Sequence, residues 1–333
     1  MARIPRCQQV RPQVVQYYHT LSRCVRKMKL TNDGARKDYM LVWLKSLHEV
    51  FAVEVCRYAL MGNHFHLIVR VNAPMAEAWS SHEVAVRWSK LHPPREGSYR
   101  ALAGDALNAW RAEKAQDAAF VSKARLALCS LSKFMKDFKQ RVAESFNRED
   151  HASGAFWEAR YACVPLDNEA SLLACMTYVD LNPHVAGKCG KPEEDPYVSL
   201  HESVRSREQV RRERQAVGLT ASAANEEERH RHGERTFGDQ TDSAGATEVI
   251  PDAEKHVWTV PVGRTDRHAR RSILPHVRLE DYLRLVDFAA RRFRDGKVQL
   301  DGATAVILER VQLGADDWLA QLGRWMGESA ASG

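Results

Sequence analysis

The 333-residue chain has no apolar run approaching the roughly 20 residues of a membrane-spanning helix, so a helical membrane protein is excluded at the outset. Its basic N-terminus is not followed by the apolar stretch and cleavage site of a secretory signal. Seven cysteines (Cys7, Cys24, Cys56, Cys129, Cys163, Cys175, Cys189) include no CxxC pair and no disulfide-like spacing, and their number is odd. A disulfide framework is thereby excluded, and reduced, mostly buried thiols are expected. There is no internal repeat. The first 30 residues contain no acid, yet hold Arg3, Arg6, Arg11, Arg23, Arg26, Lys27 and Lys29, although the whole chain carries a formal net charge of only +6. The expected protein is soluble and cytoplasmic, without a membrane partner, and its uneven charge fits an anionic polymer.

What is present is an alternation of short β-rich and helical stretches. "VVQYYHTLSRCV" (14–25) reads as a strand. After the loop at "TNDG", Met40, Trp43, Leu44, Leu47 and Val50 or Phe51 recur at helical spacing. "AVEVCRYAL" and "HFHLIVRV" flank the short turn "MGN" and predict an antiparallel hairpin. Residues 72–120 read as a polar helical insertion containing Trp79, Trp88 and Trp110. Leu128, Leu131, Met135, Phe138 and Val142 then form one helical stripe, leaving Lys133, Lys136, Lys139 and Arg141 on the remainder. "FWEARYACVPLD" (156–167) leads into a fourth strand, and Asp167 or Asn168 can cap a following helix that should stop near Asn182, because Pro183 disfavours helix in the residue before it.

The order β-α-β-β-α-β-α predicts an α+β fold: a ferredoxin-like antiparallel sheet with helices on one face, a helical insertion and a helical C-terminal extension. Residues 1–203 are expected to form this domain. Residues 204–250 are dense in charge and poor in large apolar side chains, as in a flexible linker. Residues 251–333 carry amphipathic helical patterns of a small terminal module.

Two positions bear chemistry. His64 and His66 in "GNHFHLIV" are two apart, so on a strand both imidazoles share one face while Phe65 and Leu67 enter the core. They are candidate metal ligands, and no third histidine of suitable spacing accompanies them. On the 169–182 helix, Leu172, Met176 and Val179 form one stripe, and Ser171, Cys175, Tyr178 and Asn182 a second, which turns Tyr178 away from the most apolar side.

"GNHFHLIV", "GAFWEARY" and "TYVDLNPHVAG" in that order, with "YYHTLSRCVRK" upstream, resemble the single-tyrosine HUH transposases, the insertion-sequence 200-like group that includes the REP-associated tyrosine transposases. The resemblance spans about residues 10–200. It implies an HUH endonuclease core in which Tyr178 is the nucleophile and His64, His66 and Asn182 hold Mg²⁺ or Mn²⁺. The implied reaction cleaves and rejoins single-stranded DNA beside hairpins through a 5′-phosphotyrosine intermediate. A tyrosine conserves the phosphoryl bond as an ester, and a divalent ion polarises the scissile phosphate as a Lewis acid. Arg23, Arg26, Lys27, Lys133, Lys136, Lys139, Arg141, Trp157 and Arg160 would contact the DNA, with Phe156, Trp157 and Tyr161 available for stacking on bases. The implied partner is hairpin-bearing single-stranded DNA in the nucleoid, with a monomer or a homodimer both open. The chain departs from the family's common "NPVRAG" in reading "NPHVAG", where His184 and Val185 displace an arginine.

Three other readings compete. A domesticated hairpin-binding protein would keep the fold without cutting. A relaxase-like arrangement would use Tyr17 or Tyr18. A phosphodiesterase activating water would need carboxylates near the ion, for which Glu54 and Asp180 are the candidates.

Overall fold

The computed structural model describes residues 15–97, 100–231, 257–263, 272–295, 302–310 and 313–330. The first strand, β1 (Gln16–Arg23), is followed by helix α1 (Gly34–Val50), whose N-cap Asp33 accepts from the Ala35 amide. Strands β2 (Val53–Leu60) and β3 (His64–Val71) form the expected hairpin. In its turn a Cβ at position 62 would lie 2.5 Å from the Asn32 side-chain oxygen, so any residue larger than Gly62 requires Asn32 to shift. The insertion supplies α2 (Ala73–Ala78), α3 (Ser81–Leu91), a two-residue ribbon (β4, Arg95–Glu96; β5, Arg100–Ala101), α4 (Gly104–Gln116) and α5 (Ala118–Leu128). Asn72, Ser80 and Asp117 cap α2, α3 and α5 through their side chains.

Helix α6 (Leu131–Glu149) and strand β6 (Ala162–Leu166) complete the sheet, which is antiparallel in the order β2-β3-β1-β6. Pro165 lies on β6, an edge strand, where its missing donor costs no ladder bond in the sheet interior. The opposite edge, β2, is covered: Leu60 donates to the Tyr197 carbonyl and Val260 to the Val55 carbonyl.

Alternation along β3 separates two cores. Phe65, Leu67, Val69 and Val71 pack with Met40, Leu44 and Leu47 of α1 and Phe134, Met135, Phe138 and Val142 of α6. On the other face, Ile68 packs with helix α7 (Glu169–Val185) and with the C-terminal helices α9 (Leu279–Asp295), α10 (Gly302–Arg310) and α11 (Ala315–Ala330). The sheet is therefore covered on both faces, which corrects the expected one-sided arrangement. The parts of the terminal module that are described share a core with α7 rather than standing apart. Because its solvent side is covered in turn, α7 is buried at every position from Leu172 to Pro183.

Two further expectations differ from the structure. Helix α7 runs past Asn182 to Val185, with Pro183 inside its last turn, where Ala186 still donates to the Asn182 carbonyl and Lys188 to the Pro183 carbonyl. Pro183 removes one donor only three residues before the end, so little of the ladder is lost. The first part of the expected linker continues helix α8 (Ser199–Arg231), and residues 232–250 lie outside the described residues. Arg, Glu, Gln and Ala are strong helix formers even where they are poor core formers, and Leu200, Ser203 and Val210 are buried enough to seat the first turns. Among the described residues no helix is long and apolar enough to cross a membrane.

A β-bulge between Val55 and Arg57 turns the fully buried Arg57 toward α7, where its Nε lies 3.5 Å from the equally buried Asp180 carboxylate. Ser199 at the start of α8 donates to Asp180 at 2.8 Å, and the Tyr282 hydroxyl of α9 donates to its other oxygen. Four elements thus meet at one carboxylate. Truncating it by Asp180→Ala strands a buried guanidinium, and we expect a loss of about 3–5 kcal/mol in urea unfolding. The paired replacement Arg57→Met with Asp180→Leu should lose markedly less; equal losses would show that the ion pair is not the source.

Candidate functional site

The antiparallel register sets Leu21 opposite His66 and Arg23 opposite His64, and directly opposed residues share a face. His19, Leu21 and Arg23 of β1 therefore lie beside His64 and His66 of β3 on the side that α7 covers. The two histidine rings of β3 are 5.0 Å apart and nearly perpendicular. His66 is 2% exposed and His64 half-buried. The Asn182 side chain of α7 reaches down to His66, its Nδ2 lying 3.3 Å from Nε2. Asn63 Oδ1 lies 2.6 Å from His64 Nδ1. The Tyr178 ring, one turn before Asn182, meets His66 edge to face at 5.2 Å. His64, Asn182 and Tyr178, candidates from two separate motifs, are thus gathered around His66, with Arg23 opposite His64.

The donor set is a mixed nitrogen and oxygen one that can take a divalent ion. It offers two imidazoles and an amide that can present oxygen, and no thiolate. Both imidazoles are held in the neutral form that ligation requires. Burial pushes the pKa of His64 down to about 4, aided by the nearby cations of Arg23 and Lys188, and burial drives His66 well below its ordinary value. Among the described residues no three His, Cys, Asp or Glu side chains are placed so as to hold a metal ion, and beside the two imidazoles the Asn182 amide is the oxygen donor at hand.

His19 and Trp325 escaped the sequence reading. His19 Nε2 lies 2.9 Å from His66 Nδ1, the two rings stacked with an interplanar angle of 6°. A third histidine does accompany the pair, across the sheet rather than along the chain, and only the β1–β3 register reveals it. Trp325 of α11 stacks on Tyr178 at 5.9 Å and 22°, and meets His19 edge to face at 5.0 Å. Tyr178 is consequently only 4% exposed, although its stripe is turned away from the most apolar side of the helix.

The expected DNA contacts divide. Arg26, Lys27 and Arg160 are exposed, and Arg26 and Lys27 hold left-handed backbone angles (φ 53° and 55°) in the loop after β1. Helix α6 packs on the opposite face of the sheet from the histidines, and three of its four basic candidates are engaged within the chain. Lys133 pairs with Asp137 at 2.9 Å, Lys139 donates to the Ala159 carbonyl, and Arg141 lies over the Trp43 ring. Lys136 is exposed. Trp157 packs on Phe65 and donates to the Lys139 carbonyl, while Phe156 and Tyr161 are buried.

The carboxylates of the water-activating reading are committed elsewhere: Glu54 pairs with Arg70 at 2.7 Å and accepts from Asn72, and Asp180 is held by Arg57, Ser199 and Tyr282. Tyr18 points to the α1 face and donates to Gln16. Tyr17 lies opposite Arg70, near the far end of β3 from His64.

Burial also lowers the pKa of His19 to about 4. From pH 6.5 downward the unfolded chain takes up protons that folded His19 and His64 refuse until about pH 4. Folding stability should therefore be complete above pH 6.5 and fall through that window as the pH drops, by about 3 kcal/mol for His19 alone. Urea midpoints measured on both sides of the window check this, and a flat profile would contradict it.

No family model matches the chain, and no curated protein is similar to it. Among solved structures it is similar to a REP-associated tyrosine transposase bound to a REP hairpin, with 11% sequence identity and a TM-score of 0.35, over 57% of this chain and 79% of that chain. A likeness at this score decides neither fold family nor activity.

Proposed function

We propose that the protein is a single-tyrosine strand transferase that cleaves and rejoins single-stranded DNA near hairpins, built on a ferredoxin-like HUH core. The observation that carries this reading is the meeting of Tyr178 with His64, His66 and Asn182 at one place on the sheet. Two of the sequence motifs that resemble the transposase family contribute these residues, from a strand and from a helix.

In this reading the Tyr178 oxygen attacks the scissile phosphorus, the bond to the 3′ oxygen breaks, and the 5′ phosphate stays on the tyrosine as an ester. The freed 3′ hydroxyl of an incoming strand reverses the step. His64, His66 and the Asn182 oxygen would hold Mg²⁺ or Mn²⁺, which supplies Lewis-acid stabilisation of the phosphate's developing charge. Arg23, half-buried beside His64, adds a fixed positive charge toward the same phosphate. Exposed Arg26, Lys27, Lys136 and Arg160 offer salt-sensitive contacts to the DNA backbone. Helix α11 must move aside first, because Trp325 occupies the face of Tyr178 from which a strand would approach.

The test is a denaturing gel of the full chain incubated with end-labelled single-stranded oligonucleotides spanning the hairpins that flank its gene, with Mg²⁺ or Mn²⁺. Wild type should form a covalent adduct that is lost in Tyr178→Phe and in His64→Ala. Trp325→Ala should raise the adduct yield about tenfold if the stacked indole holds the closed state by about 1.4 kcal/mol. An adduct surviving in Tyr178→Phe would move the nucleophile elsewhere. Hairpin binding with no adduct under either metal, in wild type and Trp325→Ala alike, would favour the domesticated binding protein, a reading that the burial of Tyr178 also suits.

A further inference from the structure

His19 is unassigned by the reaction above, yet it is bonded to the better buried of the two candidate ligands. It lies diagonally across the sheet from His66, opposite Ile68 in the β1–β3 register, and is 5% exposed. The bond between His19 Nε2 and His66 Nδ1, at 2.9 Å, has one proton to share. If His19 donates it, neutral His66 carries its own proton on Nε2 and has no lone pair to offer an ion. If His66 donates it, Nε2 is bare.

The second ring nitrogen decides between these. His66 Nε2 faces Asn182 Nδ2, an amide donor, at 3.3 Å. A donor facing Nε2 is satisfied only if that nitrogen accepts, and then the His66 proton must be on Nδ1, donated to His19. With the Asn182 amide placed as it is, nitrogen toward His66, the chain of bonds runs from Asn182 to His66 and from His66 to His19.

We infer that His19 is a positioning residue that accepts the Nδ1 proton of His66 and so fixes the tautomer in which Nε2 carries no proton and can ligate a divalent cation once the Asn182 amide turns its oxygen toward that ion. The stacked rings hold His66 in one orientation, as an outer partner does for a metal-binding histidine. This role rests on the metal reading proposed above. The tautomer itself does not, and it can be measured in metal-free protein.

Two measurements on the full chain test it. The first is nitrogen-15 NMR of the histidine rings in metal-free wild type, with His66 assigned by substitution. The expected result is a protonated Nδ1 and a bare Nε2; the Nε2-protonated tautomer would overturn the inference regardless of any variant. The second is Mn²⁺ binding by calorimetry, comparing wild type with His19→Phe, which keeps a stacked ring without an acceptor, and His19→Gln, which keeps an acceptor of similar reach. His19→Phe should weaken Mn²⁺ binding about 10–100-fold, and His19→Gln should recover most of it. Wild-type affinity in His19→Phe, or equal loss in both variants, would reduce His19 to packing and overturn the role. Failure of the metal reading has its own signature: no saturable Mn²⁺ binding in wild type, or binding that His64→Ala leaves unchanged. In that case the positioning role falls with it.

Discussion

The Asp180 carboxylate fixes the rotation of α7, and the site depends on that rotation. Residues two positions apart on a helix are about 200° apart around its axis, so the side that carries Asp180 toward Arg57, Ser199 and Tyr282 lies roughly opposite the side that carries Tyr178. Asn182, one turn after Tyr178, falls on the tyrosine's side and reaches His66. A pair of fully buried charges contributes little net stability once desolvation is counted. It does penalise any rotation or slip of α7 that would leave Arg57 unmatched, and the β-bulge in β2 is what delivers Arg57 to that position. Geometry at the tyrosine is thus set by a polar contact on the far side of its helix.

Covering both faces of the sheet gives the histidines their chemical character. An imidazole on an open sheet face would be wet and would titrate near its ordinary pKa; beneath α7 and α11 it is dry and neutral. The same cover lets polar contacts act in a low-dielectric setting, where the hydrogen bonds among Asn182, His66 and His19 are stronger and an unmatched one costs more. On the proposed reading, neutral imidazoles and a fixed amide would be in place before any ion or phosphate arrives.

Local periodicity made part of this legible from sequence. The period of two placed His64 and His66 together with Phe65 and Leu67 opposite, and the period of 3.6 put Tyr178 and Asn182 on one stripe. The strand order and the α6 stripe followed from the same patterns. What escaped was set by contacts between segments distant in sequence. His19 joins His66 only through register, which no local period records. Tyr178 is buried by a tryptophan 147 positions later, docked through a helix whose amphipathic pattern was visible but whose partner was not. On α6 the period was read correctly, while the intrachain partners of Lys133, Lys139 and Arg141, on the side of the sheet away from the histidines, were set by contacts that the period does not record. Composition misled at α8, because a segment too polar to make a core can still make a helix.

The closed site constrains how DNA could open it. A ligand shifts an equilibrium only by its difference in affinity for the two states. Arg26, Lys27 and Arg160 are already exposed with α11 in place, so phosphates resting on them are bound about equally well before and after α11 moves. Such contacts recruit a strand without opening the site. The force for displacement has to come from groups that α11 hides, chiefly the faces of Tyr178 and His19 against which Trp325 rests. Leaving also exposes Trp318, Leu322 and Met326, each buried in the shared core and worth about 1.5–3 kcal/mol. An unpaired base has the flat aromatic surface needed to replace an indole on a tyrosine ring, whereas a base stacked within a duplex does not present it. On the proposed reading, preference for single-stranded over paired DNA at the scissile position follows from the closure itself, because only an unstacked base can take the place that Trp325 gives up.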